Sequence, residues 1–174
     1  MKFNRYGILG KICYNMVTPY NHEKFWKMRQ CVVDSNNKKN IFIKMIYLMK
    51  IKRVEAKNCS SIGTAMNTGA AFKGIPDLPH GITGIFISHS AVIGENCTIL
   101  QNVTIGSSKK KAPIIGDNCI IGAGAVLIGG IRIGNNVRIG ANCTVSKDVP
   151  DNCTVVSVQP RIIKREQGEN IFKF

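Results

Sequence analysis

Three histidines, His22, His80 and His89, are the side chains of this chain best suited to proton transfer. Imidazole titrates near neutrality, so it can take a proton from an attacking hydroxyl and return it to a leaving group. His22 lies in a segment of helical spacing and reads as structural or solvent-facing. His80 stands where a six-residue rhythm breaks by three residues, between Leu78 and Ile87, and His89 follows in SHSAVIG. A histidine at a break in a repeat is a better candidate for chemistry than one inside it. The seven cysteines, Cys13, Cys31, Cys59, Cys97, Cys119, Cys143 and Cys153, form no CxxC pair and no histidine ladder at zinc spacing. Only His80 and His89 fall in the repeat, where a zinc site wants three protein ligands, so no metal is expected. The odd cysteine count fits a reducing compartment.

The rhythm itself must position these groups. Every sixth residue from Ile87 is aliphatic, through Ile93, Ile99 and Ile105, and after a four-residue slip through Ile115, Ile121, Leu127, Ile133, Ile139 and Val145. Two residues earlier runs a small or β-branched column, from Ile85, Ala91, Cys97 and Val103 to Cys119, Ala125, Val137 and Cys143. Residues two apart on a strand point the same way, so both columns face one interior, and Cys97, Cys119 and Cys143 read as core thiols. Glycine often follows the aliphatic residue, where it is predicted to supply the corner conformation. The pattern predicts an all-β solenoid of short strands over residues 64–158, with a weaker first coil through Met66, Phe72 and Leu78 and one extra loop at residues 107–112 (SSKKKA). A packed interior leaves only corners, loops and grooves for a site.

The 174 residues, 44% hydrophobic, leave room for one core and an appendage and exclude wholesale disorder. Residues 1–58 hold 13 basic and 3 acidic side chains, a net +10, against 11 and 7 in the remainder, a net +4. Apolar residues recur at helical spacing in EKFWKMRQCVV and at residues 41–51 (IFIKMIYLMKI), where Ile41, Met45 and Leu48 share a face. The domain organisation predicted is a basic helical arm at 1–58 capping the solenoid, the β-helix at 59–160 and a tail at 161–174. No signal peptide is evident and the apolar run is half a membrane span, so the protein is expected in the cytoplasm. The arm lacks any motif that reads nucleic acid, and a peripheral membrane contact is its alternative role.

The hexad pattern resembles the hexapeptide-repeat acyltransferases, which implies a left-handed parallel β-helix of triangular coils, here with a short N-terminal helical segment. The left hand comes from the resemblance alone, since the usual rule for parallel crossovers favours the right. LPHGITGIFISHSAVIGENCTILQNVTIG and APIIGDNCIIGAGAVLIGGIRIGNNVRIGANCTVSKDVPDNCTVV are similar to the serine acetyltransferase branch, and in particular to its short members associated with capsular or exopolysaccharide synthesis. The resemblance implies that His80 is the general base for direct acetyl transfer from acetyl-CoA, that Gly106 and Ser107 flank its pantetheine arm, that Ala123 and Ala141 line it, and that Ser146, Lys147 and Arg161 meet its nucleotide end. Lysine and arginine suit phosphates, and small residues admit a close backbone approach. It also implies a homotrimer with the cofactor in grooves between subunits.

Several positions depart from the branch. Pro79 replaces the aspartate before the histidine, Lys111-Ala112-Pro113 replaces Arg-His-Pro, Ser157-Val158-Gln159-Pro160 replaces Gly-Val-Pro-Ala, and Ala65 stands where an aspartate orients the histidine. Asp77 is the nearby substitute, and Asp77 and His89 are candidate acceptor contacts. Loss of an aspartate that would pair with a substrate ammonium weakens an amino-acid acceptor. The leading expectation is therefore an O-acetyltransferase acting on a sugar or glycan hydroxyl. The alternatives are an L-serine O-acetyltransferase of cysteine synthesis and a non-catalytic β-helix used for assembly.

Overall fold

The computed structural model describes residues 20–158. Two helices come first. Helix α1 (His22–Val33) is capped by Asn21, whose side chain accepts from the Lys24 amide at 3.0 Å, and α2 (Ile41–Lys57) by Asn40, which accepts from the Phe42 amide at 2.9 Å. Helix α2 outruns the apolar stretch because Glu55 turns inward, accepting the Ile62 amide at 2.9 Å and pairing with Lys52 Nζ at 2.7 Å. Its inner face is Lys44, Ile51 and Glu55, flanked by Tyr47, Leu48 and Val54. Ile41 and Met45, grouped with Leu48 by spacing, are exposed instead.

After an antiparallel hairpin, β1 (Thr64–Ala65) and β2 (Thr68–Gly69), twelve short strands wind into three parallel faces. The first face stacks β4 (Phe86–Ile87), β7 (Thr104–Gly106), β10 (Val126–Ile128) and β13 (Thr144–Val145). The second stacks β3 (Ala71–Phe72), β5 (Val92–Ile93), β8 (Ile114–Ile115) and β11 (Arg132–Ile133). The third stacks β6 (Thr98–Ile99), β9 (Ile120–Ile121), β12 (Arg138–Ile139) and β14 (Thr154–Val155). This is the left-handed parallel β-helix with an N-terminal helical segment. All ten aliphatic residues of the rhythm are buried, as is the column two residues before them. The thiols sit inside, with Cys97 Sγ donating to Gly116 O at 3.2 Å and Cys119 Sγ to Gly134 O at 3.1 Å.

The glycines do a different job from the one expected. The left-handed corner positions are taken by asparagines, Asn96, Asn102, Asn118, Asn136, Asn142 and Asn152, with φ from 53° to 60°, and by Gly84 and Gly124, with φ of 65° and 69°, rather than by the glycines that follow the aliphatic residues. The glycines admit the neighbouring coil: a Cβ at Gly94 would stand 2.3 Å from Gly116 O, and one at Gly122 would stand 2.6 Å from Ala141 N. Asparagine side chains add a ladder along one corner, Asn96 Nδ2 donating to Asn118 Oδ1 at 3.3 Å and Asn136 Nδ2 to Asn152 Oδ1 at 3.0 Å.

The first coil also differs. Ser61 bridges Phe86, which brings Ile62 rather than Met66 into line with Ile87. Residues 64–69 leave the coil as the β1–β2 hairpin, with half-exposed Met66 in its turn. Arg29 of α1 clamps this hairpin, donating to Thr64 Oγ1 at 3.1 Å, Ile62 O at 3.3 Å and Ala70 O at 2.7 Å. The guanidinium lies 5.3 Å from the Trp26 ring centre and 4.6 Å from that of Phe72, and burial lowers its pKa to about 10. Among the described residues no helix is long and apolar enough to cross a membrane.

Candidate active site

The turn that carries His80 is created by excess length. In the coil below, six residues advance the chain from Thr98 to Thr104; above, nine lead from Asp77, which bridges Thr98, to Phe86, which pairs with Thr104. Leu78 and Ile82 are both buried, so the three surplus residues are thrown outward between them and His80 is exposed. The Gly81 amide closes the turn on Leu78 O at 3.0 Å, and Thr83 Oγ1 donates to His80 O at 3.3 Å.

The start of α1 covers this turn. A Cβ at Gly81 would come 3.1 Å from Tyr20 Cδ1, so the tyrosine ring rests on the residue after His80. Tyr20 Oη lies 2.8 Å from His22 Nδ1 and accepts from Trp26 Nε1 at 3.2 Å. Burial raises the Tyr20 pKa above its usual value, and burial lowers that of His22 against the opposing pull of Asp77 and Glu23. Asp77 therefore acts electrostatically on His22, a residue read as structural or solvent-facing from the sequence. The only hint in the sequence was the Asn21 cap, which fixes His22 as the first residue of a helix.

The other site residues divide between two edges of the first face. On the edge shared with the third face, below His80, lie Gln101, Ala123 and Ala141 on successive coils, Gly124 N donating to Gln101 O at 3.0 Å and Asn142 N to Ala123 O at 2.8 Å. Gln101 Oε1 is buried there with no hydrogen-bond partner among the described residues. On the opposite edge, shared with the second face, lie His89, then Gly106 and Ser107, then Ser146 and Lys147. Here Ser88 N donates to Ile105 O at 2.8 Å and Gly106 pairs with Ile128.

Residues 107–112 form a tight hairpin on that second edge. Ser108 and Lys111 exchange two backbone hydrogen bonds of 2.9 Å, while Lys109 and Lys110 take φ of 49° and 63°. The Lys111 stem covers Gly130, where a Cβ would stand 2.7 Å from its own Cβ. Among the described residues a Cβ at Gly129 would meet only Ser108 Cβ, at 3.8 Å. His89, Ser107, Ser146 and Lys147 are all exposed along that edge. The structure therefore groups Ala123 and Ala141 with His80, and His89 with Ser107, Ser146 and Lys147, but places the two groups a strand apart. Arg161 lies outside the described residues.

Comparison with known proteins finds relatives of the same repeat. Residues 112–147 match the family model "Bacterial transferase hexapeptide (six repeats)". A serine acetyltransferase of Synechococcus elongatus is 45% identical over 92 residues, which are 51% of this chain and 37% of that protein. One from Staphylococcus aureus is 39% identical over 124 residues, 66% of this chain and 58% of that protein. The crystal structure of serine acetyltransferase isoform 3 from Entamoeba histolytica, in complex with cysteine, superposes with a TM-score of 0.57 at 33% identity, covering 75% of this chain and 45% of that one. The chain thus spans less than two thirds of the length of these curated relatives.

Proposed function

This chain is a hexapeptide-repeat protein of the serine acetyltransferase-like branch of the acyltransferases, and from that premise we propose that it is an acetyl-CoA-dependent O-acetyltransferase whose acceptor is the hydroxyl of L-serine. The observation that carries the reading is His80, lifted out of the repeat by three surplus residues and set on the same edge as Ala123 and Ala141. The names of the relatives support serine over the sugar hydroxyl first expected.

Acetyl-CoA supplies an acetyl thioester and a thiol leaving group. His80 accepts the proton of the acceptor hydroxyl on an imidazole nitrogen as the oxygen becomes a nucleophile, holds it as imidazolium and returns it to the departing sulfur. Transfer is direct and needs no cysteine. The residues suit the cosubstrate: Ala123 and Ala141 leave the backbone approachable, and Gly129 leaves room beside the hairpin of residues 107–112. Gly106 and Ser107 would flank the thioester arm, and Ser146 with Lys147 the anionic nucleotide end. Asp77 would set the electrostatics of the acceptor pocket through His22.

Because the two groups sit on opposite edges of one face, a cyclic trimer that packs one subunit's edge against the next subunit's other edge joins them in a groove. Trimerisation is thus part of the proposal, as is assembly of each site from two copies. A second reading, a sugar hydroxyl as acceptor, is favoured by Pro79 beside His80 and by Ala112, which is buried and cannot reach a substrate. Thiol release from acetyl-CoA, measured with L-serine and with a panel of sugars and nucleotide sugars, separates the readings. Turnover with serine that vanishes in His80→Ala supports the first. Turnover with a sugar alone supports the second. Full serine turnover in His80→Ala overturns the mechanism.

A further inference from the structure

Helix α2 turns an apolar face away from the protein. Ile41, Phe42, Met45, Ile46 and Met49 are exposed there, Phe42 at 68% and Met49 at 55%. On the helix wheel Phe42, Met45, Ile46 and Met49 follow the i, i+3, i+4, i+7 spacing of a single stripe opposite the buried Lys44, Ile51 and Glu55. Cations bracket the stripe: exposed Lys38 and Lys39 precede it, and Lys50, Arg53 and Lys57 follow it. The helix contains one acidic residue, Glu55, which is buried and already engaged by Lys52 and the Ile62 amide. Beside the stripe, between α1 and α2, runs a groove of about 640 Å³ lined by Lys24, Lys27, Lys39 and Lys50 together with Tyr47, its acid being Glu23.

A stripe this apolar needs a cover, and the charges select it. A second copy of the arm would bring its own lysines against these, since residues 1–58 carry a net +10. Residues 1–19, with Lys2, Arg5 and Lys11 and no acid, carry the same sign. An anionic lipid surface satisfies both features: it admits apolar side chains into the headgroup boundary and attracts the flanking cations.

From this arrangement we infer that α2 docks the protein on anionic membrane surfaces, the Phe42, Met45, Ile46 and Met49 stripe entering the interface and the α1–α2 lysine groove holding phosphate headgroups. The docking does not depend on which acceptor is acetylated. The groups named in the proposed chemistry lie on the β-helix and the start of α1, so binding and catalysis are separable.

Flotation of the full chain with vesicles of phosphatidylcholine, with and without phosphatidylglycerol, tests it. Binding only to the anionic vesicles, weakened at least tenfold by Phe42→Glu with Ile46→Glu and also by raising salt, is the result expected; circular dichroism melts and thiol release of the double variant should match the parent. Equal binding to both vesicle types, or none to either, overturns the inference. A Phe42→Trp reporter, read as the difference between its emission and that of the parent with its buried Trp26, identifies other occupants. Emission typical of exposed indole in buffer, shifting to the blue with anionic vesicles, supports the lipid. A blue shift in buffer that grows with protein concentration assigns the face to a second copy, and one independent of concentration and vesicles assigns it to residues 1–19; either overturns the inference.

Discussion

Tyr20 and Gly81 are in contact across the junction between helix and solenoid, the ring of the one lying where any side chain on the other would have to go. Gly81 also holds a φ of +65°, so two constraints meet in the residue that follows His80. Gly81→Ala is expected to lower stability by about 1–2 kcal/mol from the left-handed backbone alone, and to reduce kcat further by shifting the His80 turn. Thermal melts and thiol-release kinetics check it. A variant with normal kcat would show that Tyr20 caps the coil without tuning the site.

Removal of the imidazole is the direct test of the chemistry. His80→Ala should lose about 10²- to 10⁴-fold in kcat while KM for acetyl-CoA stays within about twofold, because the side chain is proposed to move a proton and not to hold the cosubstrate. His80 is exposed in a turn of its own, so the melting temperature should hardly change.

Much of this was legible in the residues. The columns from Ile87 to Val145 fixed the interior because a period of six admits only one inward phase, and the break before His80 marked the turn without knowledge of its shape. What stayed hidden were effects between coils. Nothing in the local sequence shows that Gly94 faces a carbonyl of the coil below, so its conservation of space was mistaken for conformational need. Ile62 was missed as the inward residue because the hairpin at residues 64–69 interrupts the count. Tyr20, His22 and Gln101 join the site only through packing, which spacing does not report.

The close approach between coils gives a contrast of neighbouring residues. Gly122→Ala is expected to cost about 1–3 kcal/mol, since the new methyl would meet backbone at 2.6 Å and not a side chain that can move. Ala123→Ser, at a corner and half-exposed, should cost under about 0.5 kcal/mol and instead alter KM for acetyl-CoA. Denaturant unfolding and steady-state kinetics separate the two.

Acidification should act through His22. Burial lowers its pKa below the ordinary 6.5, so the folded protein holds it neutral while the unfolded chain takes up a proton first. Its contribution to stability is therefore complete above pH 6.5 and declines as the pH falls through the lower folded value. Asp77 and Glu23 face it and soften the effect. Melting temperature against pH should slope downward on the acid side for the parent and less steeply for His22→Gln. Equal slopes would assign the proton uptake to other groups.

Arg29 offers the simplest test of how the arm is held. Arg29→Met leaves Ile62 O and Ala70 O without the donor they share, and a loss of about 2–4 kcal/mol is expected. Limited proteolysis should then cut first between α1 and α2 while the coils from β7 onward stay intact.

Among the described residues the chain changes length four times between one rung and the next: at the hairpin of residues 64–69, at the turn of His80, at the lysine hairpin after Ser107, and at residues 146–148, where the step from Val145 to Val149 is shorter than that from Leu127 to Ile133. Each time the following segment returns to register with its neighbouring rung. A scaffold that absorbs insertions in this way can acquire or lose a substrate pocket by gaining or deleting a few residues at a corner, with no mutation in its interior. Divergence among such proteins would then be written in the lengths of their corners, and a change of acceptor would be sought there before it is sought in point substitutions.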